Sequence, residues 1–218
     1  MSDRAAGLAA ESLRLYLVTD SALCRGRTLA DVVEQAVAGG IRCVQLREKT
    51  AATRDFMAQA MLLRSILAPR GVPLVINDRI DVALACEADG VHLGQADMPP
   101  EQARRLLPPH VFIGWSVESL GDVARSATLP VDYLGVSPVF ATPTKTDTKA
   151  PWGLEGLRQI RAASPLPLVA IGGIHAGNAA AVLDAGADGL AVVSAVCAAD
   201  DPCAAAAALG AAAASAGR

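Results

Sequence analysis

The sequence predicts a single-domain α/β protein with the architecture of a (β/α)₈ barrel. Apolar runs rich in β-branched residues alternate with segments of helical periodicity, and eight such pairs follow one another along the 218 residues. Most of the runs end in a small polar cluster. Successive strand–helix units favour parallel strands with right-handed crossovers, and eight of them can close into a barrel. An open doubly wound sheet is the alternative.

The elements follow in a regular order. The first strand, 13–19, precedes a helix at 29–37, which has apolar residues at helical spacing and is stopped by Gly39-Gly40. The same unit recurs as strand and helix at 41–46 with 53–67, 72–76 with 79–87, 89–93 with 99–107, 111–116 with 118–127, 132–137 with 153–162, 166–171 with 176–185, and 188–193 with 202–214. We expect a barrel domain over 13–214, a flexible N-terminus over 1–12 and a tail over 215–218.

Two short segments echo each other between a helix and the strand that follows it. They read Glu87-Ala88-Asp89-Gly90-Val91 and Gly186-Ala187-Asp188-Gly189-Leu190. Glycine and aspartate suit a helix stop and a tight connection. These segments belong to the face opposite the carboxyl ends of the strands, and we expect them to be structural.

Composition limits the classes of function. The net charge of −3 and the few aromatic residues, two Trp, two Tyr and three Phe, argue against nucleic acid binding. The alanine-rich stretch near the C-terminus favours helix but is too short to cross a bilayer, so no membrane association is expected. Five cysteines without a C-x-x-C pair, and an N-terminus without the apolar core of a secretion signal, predict a cytoplasmic location. The sequence leaves open whether the protein forms a homo-oligomer.

Two carboxylates follow neighbouring strands. Asp78 comes after the third strand and Asp97 after the fourth, so a parallel barrel would place them on adjacent loops of one rim. Oxygen ligands of this kind suit Mg²⁺ that keeps waters and substrate phosphate oxygens. The alternative is that each aspartate caps the helix that follows it.

Gln45, Arg47 and Lys49 alternate along the end of the second strand. Period-two geometry points these three the same way and Leu46 and Glu48 the opposite way. Two cations and an amide on an inward-facing strand end suit a multiply charged anion.

Further anion-binding groups are expected on three other loops. The long connection over 137–152 contains Lys145 and is predicted to fold over an anionic ligand. Gly172-Gly173 after the seventh strand and Val193-Ser194 after the eighth stand where barrels commonly bind phosphate with backbone N–H groups. The three histidines lack metal-ligand spacing, and structural or solvated roles are expected for them.

Together these motifs resemble the thiamine phosphate synthase family from about residue 13 to 197. The resemblance rests on Gln45-Leu46-Arg47-Glu48-Lys49, Asn77-Asp78, Gly90-Val91-His92-Leu93-Gly94-Gln95 with Asp97, Gly114 and Ser116, Thr142-Pro143-Thr144-Lys145, Ile171-Gly172-Gly173-Ile174, and Val193-Ser194. It implies an enzyme that joins a hydroxymethylpyrimidine diphosphate to a thiazole phosphate, or to its carboxylated form with loss of CO₂, giving thiamine phosphate and pyrophosphate. These small molecules are its expected partners.

The resemblance also implies roles for individual residues. The pyrimidine diphosphate would be held by Gln45, Leu46, Arg47, Glu48, Lys49, Asn77, Ser116 and Lys145, and the thiazole phosphate by Thr142, Pro143, Thr144, Gly173, Val193 and Ser194. Asp78 and Asp97 would bind Mg²⁺. Among these residues, the catalytic ones would be Arg47, Lys49, Ser116 and Lys145.

Two positions depart from the family pattern, and two other functions stay open. Relatives usually have a smaller residue than Trp115 and a histidine in place of Glu118, and both differences could reshape the pyrimidine pocket. The related thiazole tautomerases share the barrel, although the diphosphate-binding set would have no obvious role in such an isomerisation. A non-catalytic barrel that binds thiamine phosphate as a sensor or carrier is the third possibility.

Overall fold

Eight parallel strands close into a barrel in the computed structural model, which describes residues 10–142 and 150–217. Each strand pairs with its neighbours in the chain, and the eighth pairs with the first. The barrel prediction is therefore confirmed, and the open sheet is excluded. The strands are β1 (Leu15–Val18), β2 (Cys43–Leu46), β3 (Leu74–Asn77), β4 (Gly90–Leu93), β5 (Phe112–Val117), β6 (Tyr133–Val136), β7 (Leu168–Ile171) and β8 (Gly189–Val192).

Helices cover the outside of the barrel. They are α1 (Leu29–Ala38), α2 (Thr53–Leu67), α3 (Ile80–Ala85), α4 (Pro100–Leu106), α5 (Leu120–Ser126), α6 (Gly153–Ala163), α7 (Ala179–Asp184), α8 (Ser194–Cys197) and α9 (Pro202–Ala214). Among the described residues, no helix is long and apolar enough to span a membrane.

Most differences from the predicted elements lie at element ends. The strands are shorter than the apolar runs because the chain leaves the ladder while it is still buried, as at Ile41 and Val72. The short helix α8 was not predicted, since four residues are too few to show a helical period. A 3₁₀ helix over Ala10–Leu13 overlaps the segment expected to be flexible, and the rest of that segment lies outside the described residues.

The buried apolar residues form two layers. The larger layer fills the space between the strands and the helices and includes Leu46 and Trp115. The smaller layer lies inside the barrel and includes Tyr16, Cys43 and Tyr133. Because side chains alternate across each strand, residues 43 and 45 of β2 point inward while 44 and 46 point outward.

Aspartates at the amino-terminal ends of the strands tie neighbouring strands together. The Oδ2 of Asp188 accepts hydrogen bonds from the backbone N–H of Leu168, at 2.8 Å, and from Arg161 Nη1, also at 2.8 Å. Asp89 does the same for Leu74 and Arg64, at 2.8 and 2.7 Å. The two echoed segments therefore have the structural role expected of them, each fixing the start of the strand before it.

Candidate active site

A cavity of about 430 Å³ opens where the strands end at their carboxyl termini. Every strand contributes at least one lining residue, from Tyr16 on β1 to Ala191 on β8. Its volume is that of an ordinary small-molecule site. The closed barrel therefore brings polar residues that are far apart in the sequence to one place.

The end of β2 supplies two cations to this cavity. Gln45, Arg47 and Lys49 all line it, as their alternation predicts. The backbone N–H of Arg47 donates to Thr19 Oγ1 at 3.1 Å, and Thr19 is fully buried, so the strand end is held by its neighbour.

Leu46 and Glu48 do not line the cavity, although the family motif includes them. Leu46 is fully buried in the layer between strands and helices. Glu48 accepts a hydrogen bond from Ser21 outside the cavity. The period of two in a strand explains the difference, since it turns both side chains away from the residues at 45, 47 and 49.

Asp78 and Asp97 meet at the rim between β3 and β4. Asp78 has a φ of 63°, a left-handed conformation that aspartate tolerates better than most residues. Its Oδ2 accepts a hydrogen bond from Lys49 Nζ at 2.6 Å. The Oδ2 of Asp97 accepts from the N–H of Gly94 at 2.7 Å. Burial raises the pKa of Asp97, and its contact with the Asp78 carboxyl raises this pKa further.

Neither aspartate caps a helix. The N-cap of α3 is Arg79, and that of α4 is Pro99, so the capping alternative for Asp78 and Asp97 is wrong. Asp78 cannot act as an N-cap because its backbone is left-handed, whereas an N-cap residue normally has an extended backbone.

The two carboxylates fit a Mg²⁺ ion that takes its other ligands from water and substrate. Among residues 10–142 and 150–217, no group of three or more His, Cys, Asp or Glu side chains is arranged to hold a metal. Mg²⁺ is commonly bound by only one or two carboxylates together with phosphate oxygens. A cation between the two groups would also relieve the repulsion that raises the pKa of Asp97.

The opposite half of the rim is built from backbone. Gly173, Val193 and Ser194 line the cavity, as does Thr142. Gly173 has a φ of 66°, and a Cβ on it would lie 2.8 Å from the Cβ of Phe140. Glycine is therefore required for the close approach of these two loops.

The remaining predicted residues have the following positions. Asn77 and Ser116 line the cavity. Pro143, Thr144 and Lys145 lie outside the described residues, and so does the middle of the predicted flap. Glu118 lines the cavity, but Trp115 packs in the outer layer with the Arg125 guanidinium 4.7 Å from its ring centre. Trp115 therefore does not line the cavity, because its position on the strand points its side chain outward.

A chain of buried and half-buried polar side chains forms the floor of the cavity. Gln45 Nε2 donates to the Tyr16 hydroxyl at 2.9 Å, and the hydroxyls of Tyr16 and Tyr133 are 3.0 Å apart. His92 Nδ1 is 2.9 Å from the Tyr133 hydroxyl, and His92 Nε2 is 2.9 Å from Ser116 Oγ. Burial raises the pKa of both tyrosines well above the usual value, so both keep their protons at neutral pH.

Sequence reasoning missed Tyr16, His92 and Tyr133 as site residues. Each is a single polar side chain in an otherwise apolar strand, and His92 was expected to be structural or solvated. The available signal was their inward position on strands whose ends carry functional residues.

Comparisons with known proteins agree with this geometry. A family model described as thiamine monophosphate synthase matches residues 15–196. The thiamine-phosphate synthase of Albidiferax ferrireducens is 76% identical over 196 residues, which cover 90% of this chain and 90% of that protein. That of Chloroflexus aurantiacus is 54% identical over 193 residues, covering 88% and 89%. The solved thiamine phosphate pyrophosphorylase from Pyrococcus furiosus has a TM-score of 0.85 and 39% identity, covering 94% of this chain and 96% of that one.

Proposed function

Because this chain belongs to the thiamine monophosphate synthase family, we propose that it joins a 4-amino-5-hydroxymethyl-2-methylpyrimidine diphosphate to a thiazole phosphate, or to its carboxylated form with loss of CO₂. The products are thiamine phosphate and pyrophosphate. Relatives with this name are transferases, and so is this chain. One observation carries the proposal: cations and carboxylates occupy one half of the cavity rim, and a glycine-containing backbone turn occupies the other half.

The cationic half suits the diphosphate. Arg47 and Lys49 extend from β2 into the cavity, and Asn77 stands at the end of the next strand. Guanidinium and ammonium groups bind phosphate oxygens and neutralise the charge that grows on a departing pyrophosphate. In this proposal, Lys145 adds a further cation to the same half.

The backbone half suits the monophosphate of the thiazole. Gly173 follows β7, and Val193 and Ser194 follow β8, the position at which barrels commonly bind a phosphate. Thr142 lines the cavity beside this turn. Two anion sites within one cavity would bring the two substrates together.

The proposed reaction needs no protein nucleophile. The C–O bond to the diphosphate breaks, and its electron pair leaves with pyrophosphate. The amino-substituted pyrimidine ring stabilises the methylene cation, and the lone pair of the thiazole nitrogen then forms the new C–N bond. The residues of this chain would act by positioning both rings and by holding the negative charge of the leaving group.

Asp78 and Asp97 would hold Mg²⁺. When bound, Mg²⁺ supplies positive charge to the oxygens of the leaving pyrophosphate. Lys49, whose Nζ lies 2.6 Å from Asp78 Oδ2, would act on the same oxygens.

The test is a two-substrate assay of pyrophosphate release. The purified chain should release pyrophosphate only when Mg²⁺ and both substrates are present. Absence of pyrophosphate together with aromatisation of carboxythiazole phosphate alone would indicate a tautomerase. Ligand binding without turnover in either assay would indicate a sensor or carrier.

Asp78→Ala should lower turnover by at least about tenfold through lost electrostatic stabilisation, and Lys145→Ala should do the same. The circular dichroism spectrum should not change. Asp81→Ala is the matched control, because Asp81 pairs with Arg79 at the exposed start of α3 and does not line the cavity. Unchanged turnover in either test variant would remove that residue from the mechanism.

A further inference from the structure

The connection between β1 and α1 lies beside both halves of the cavity rim. β1 pairs with β2 on one side and with β8 on the other, so the connection that follows it adjoins the diphosphate half and the monophosphate half. Within the described part of the chain, no residue from 19 to 44 lines the cavity. This connection therefore acts on a ligand through its charge or through the residues that it holds in place.

Arg27, near the end of this connection, donates three hydrogen bonds to backbone carbonyls. Its Nε donates to Cys24 at 3.0 Å, its Nη2 to Cys197 at 3.0 Å, and its Nη1 to Asp200 at 3.2 Å. Arg27 and Cys197 are 170 residues apart in the sequence. A planar guanidinium presents its donors in fixed directions, so the three bonds set the position of one segment relative to the other.

The short helix α8 is the element that these bonds hold. A helix of four residues is too short to be stable alone. The carbonyls of Val193 and Ser194 accept from the N–H groups of Cys197 and Ala198 within the same turn, at 2.9 and 3.1 Å. The carbonyl of Cys197, at the other end of the helix, accepts from Arg27 instead. The position of this end therefore depends on a contact with the β1–α1 connection.

The same helix carries part of the monophosphate half. Val193 and Ser194 line the cavity, and Ser194 is the first residue of α8. Cys197 follows three residues later, which is about 5 Å along a helix axis. One helical turn moves as a unit, so a shift at the Cys197 end also displaces the backbone that lines the cavity. Binding through positioned groups is sensitive to displacements of about 1 Å.

We propose that Arg27 is a positioning residue for the phosphate of the thiazole substrate. It does not line the cavity, and it acts by holding α8 so that the backbone of Val193 and Ser194 faces the phosphate. The diphosphate half has a separate support, because the N–H of Arg47 donates to Thr19 at the end of β1. This inference rests on the proposed function, since it assigns a further residue to the same cavity.

The test measures two Kd values by calorimetry, each with a ligand that is not turned over alone. Thiamine phosphate places its phosphate in the monophosphate half, and the pyrimidine diphosphate, added with Mg²⁺, occupies the other half. Arg27→Gln should raise the Kd of thiamine phosphate by at least about tenfold, the size of one hydrogen bond from a charged donor. The Kd of the pyrimidine diphosphate should not change.

The kinetics of pyrophosphate release provide a second measurement. Arg27→Gln should raise the KM for the thiazole phosphate, while the KM for the pyrimidine diphosphate and the kcat at saturation stay the same. A general loss of structure would not affect one substrate alone.

Two variants are the controls. Arg25→Gln removes a positive charge from the same connection, and Arg25 makes only an exposed ion pair with Asp200 among its printed contacts of this kind, at 2.7 Å, so neither Kd should change. Arg104→Gln removes another half-buried arginine that donates to backbone carbonyls, those of Val111 and Leu107 at 2.7 and 3.0 Å. These lie beside the start of β5, at the end of the barrel opposite the cavity, so both Kd values should again equal those of the wild type.

Arg27→Lys keeps the charge and most of the side chain, so it provides a second test variant if Arg27→Gln does not fold. A single ammonium group cannot reproduce the three directions of a guanidinium. The Kd of thiamine phosphate should therefore rise in this variant as well, and that of the pyrimidine diphosphate should not.

Three results would overturn the inference: an unchanged Kd of thiamine phosphate in the folded Arg27 variants, an equal loss of affinity for both ligands, or the same loss in Arg25→Gln. Selective weakening of thiamine phosphate binding, without pyrophosphate release by the wild type, would refute the proposed function and leave the inference standing. Pyrophosphate release by the wild type, with an unchanged Kd in the Arg27 variants, would do the opposite.

Discussion

Asp188 should contribute to the stability of the barrel without contributing to its activity. Its carboxylate accepts from the backbone N–H of Leu168 and pairs with Arg161, on the face opposite the cavity. In Asp188→Ala, the N–H of a fully buried strand residue loses its partner, which costs about 1–3 kcal/mol. The ion pair adds little, about 0.2–1 kcal/mol, since its side chains are 23% and 37% exposed.

The variant should therefore lose about 1–4 kcal/mol in the free energy of unfolding. Arg161 would not be left without a partner, because its Nη2 also donates to the Leu166 carbonyl at 2.9 Å. Asp188→Asn keeps an oxygen acceptor for Leu168 and loses only the charge, so it should cost about 1 kcal/mol or less. Urea unfolding monitored by circular dichroism measures both values.

Glu155→Ala is the matched control for loss of an ion pair. Glu155 pairs with Arg158 on the same helix as Arg161, but the two side chains are 73% and 56% exposed. Its loss should cost less than about 0.5 kcal/mol. The reasoning fails if Asp188→Ala also costs less than that, or if Asn is as harmful as Ala at position 188. Pyrophosphate release at saturating substrate should be the same in all three variants and the wild type.

Two further predictions concern the cavity itself. Gly114→Ala should lose about 1–3 kcal/mol in urea unfolding, because its Cβ would lie 2.1 Å from a Tyr133 ring that packing holds in place; no loss is expected for Gly121→Ala, whose Cβ would meet only Ser119 Oγ, at 3.5 Å. In the absence of Mg²⁺, Asp97→Asn should raise the melting temperature at about pH 7.5 and raise it less at about pH 4.5. The raised pKa of Asp97 means that ionising this carboxyl destabilises the folded protein. This destabilisation is absent below the ordinary pKa of aspartate and complete above the raised pKa, so the variant gains more at the higher pH. An equal gain at both pH values would contradict the second prediction.

The barrel and much of its rim could be predicted from the sequence because their signals are local. A strand followed by a helix shows its periodicity within about 30 residues, and a polar cluster marks the end of a strand directly. Gln45, Arg47 and Lys49 were expected to share one face, and the structure brings all three to the cavity. Assigning substrate contacts to every residue of the motif Gln45–Lys49 was less reliable. Leu46 belongs to this motif, and yet its side chain packs between the strands and the helices.

The polar floor could not be predicted because its signal is not local. Tyr16, His92 and Tyr133 are separated by more than a third of the chain or by several elements, and only closure of the barrel brings them together.

A third aspartate contact was missed for a related reason. Asp132 Oδ2 accepts from the N–H of Ile113 at 2.7 Å, as Asp89 does for Leu74, but its segment lacks the Ala-Asp-Gly pattern.

The position of the polar floor within the barrel suggests why it is fully connected. Barrel interiors are usually filled with branched apolar side chains, and a buried polar group without a partner is costly. Here the layer next to the cavity is polar, while Val75, Phe112 and Val169 keep the interior apolar around it. A connected chain avoids unsatisfied groups but offers less hydrophobic stabilisation than apolar packing of the same volume. The lost hydrophobic stabilisation is explained if the polar chain orients Gln45 and Ser116 toward a ligand. It is not explained if the floor serves stability alone.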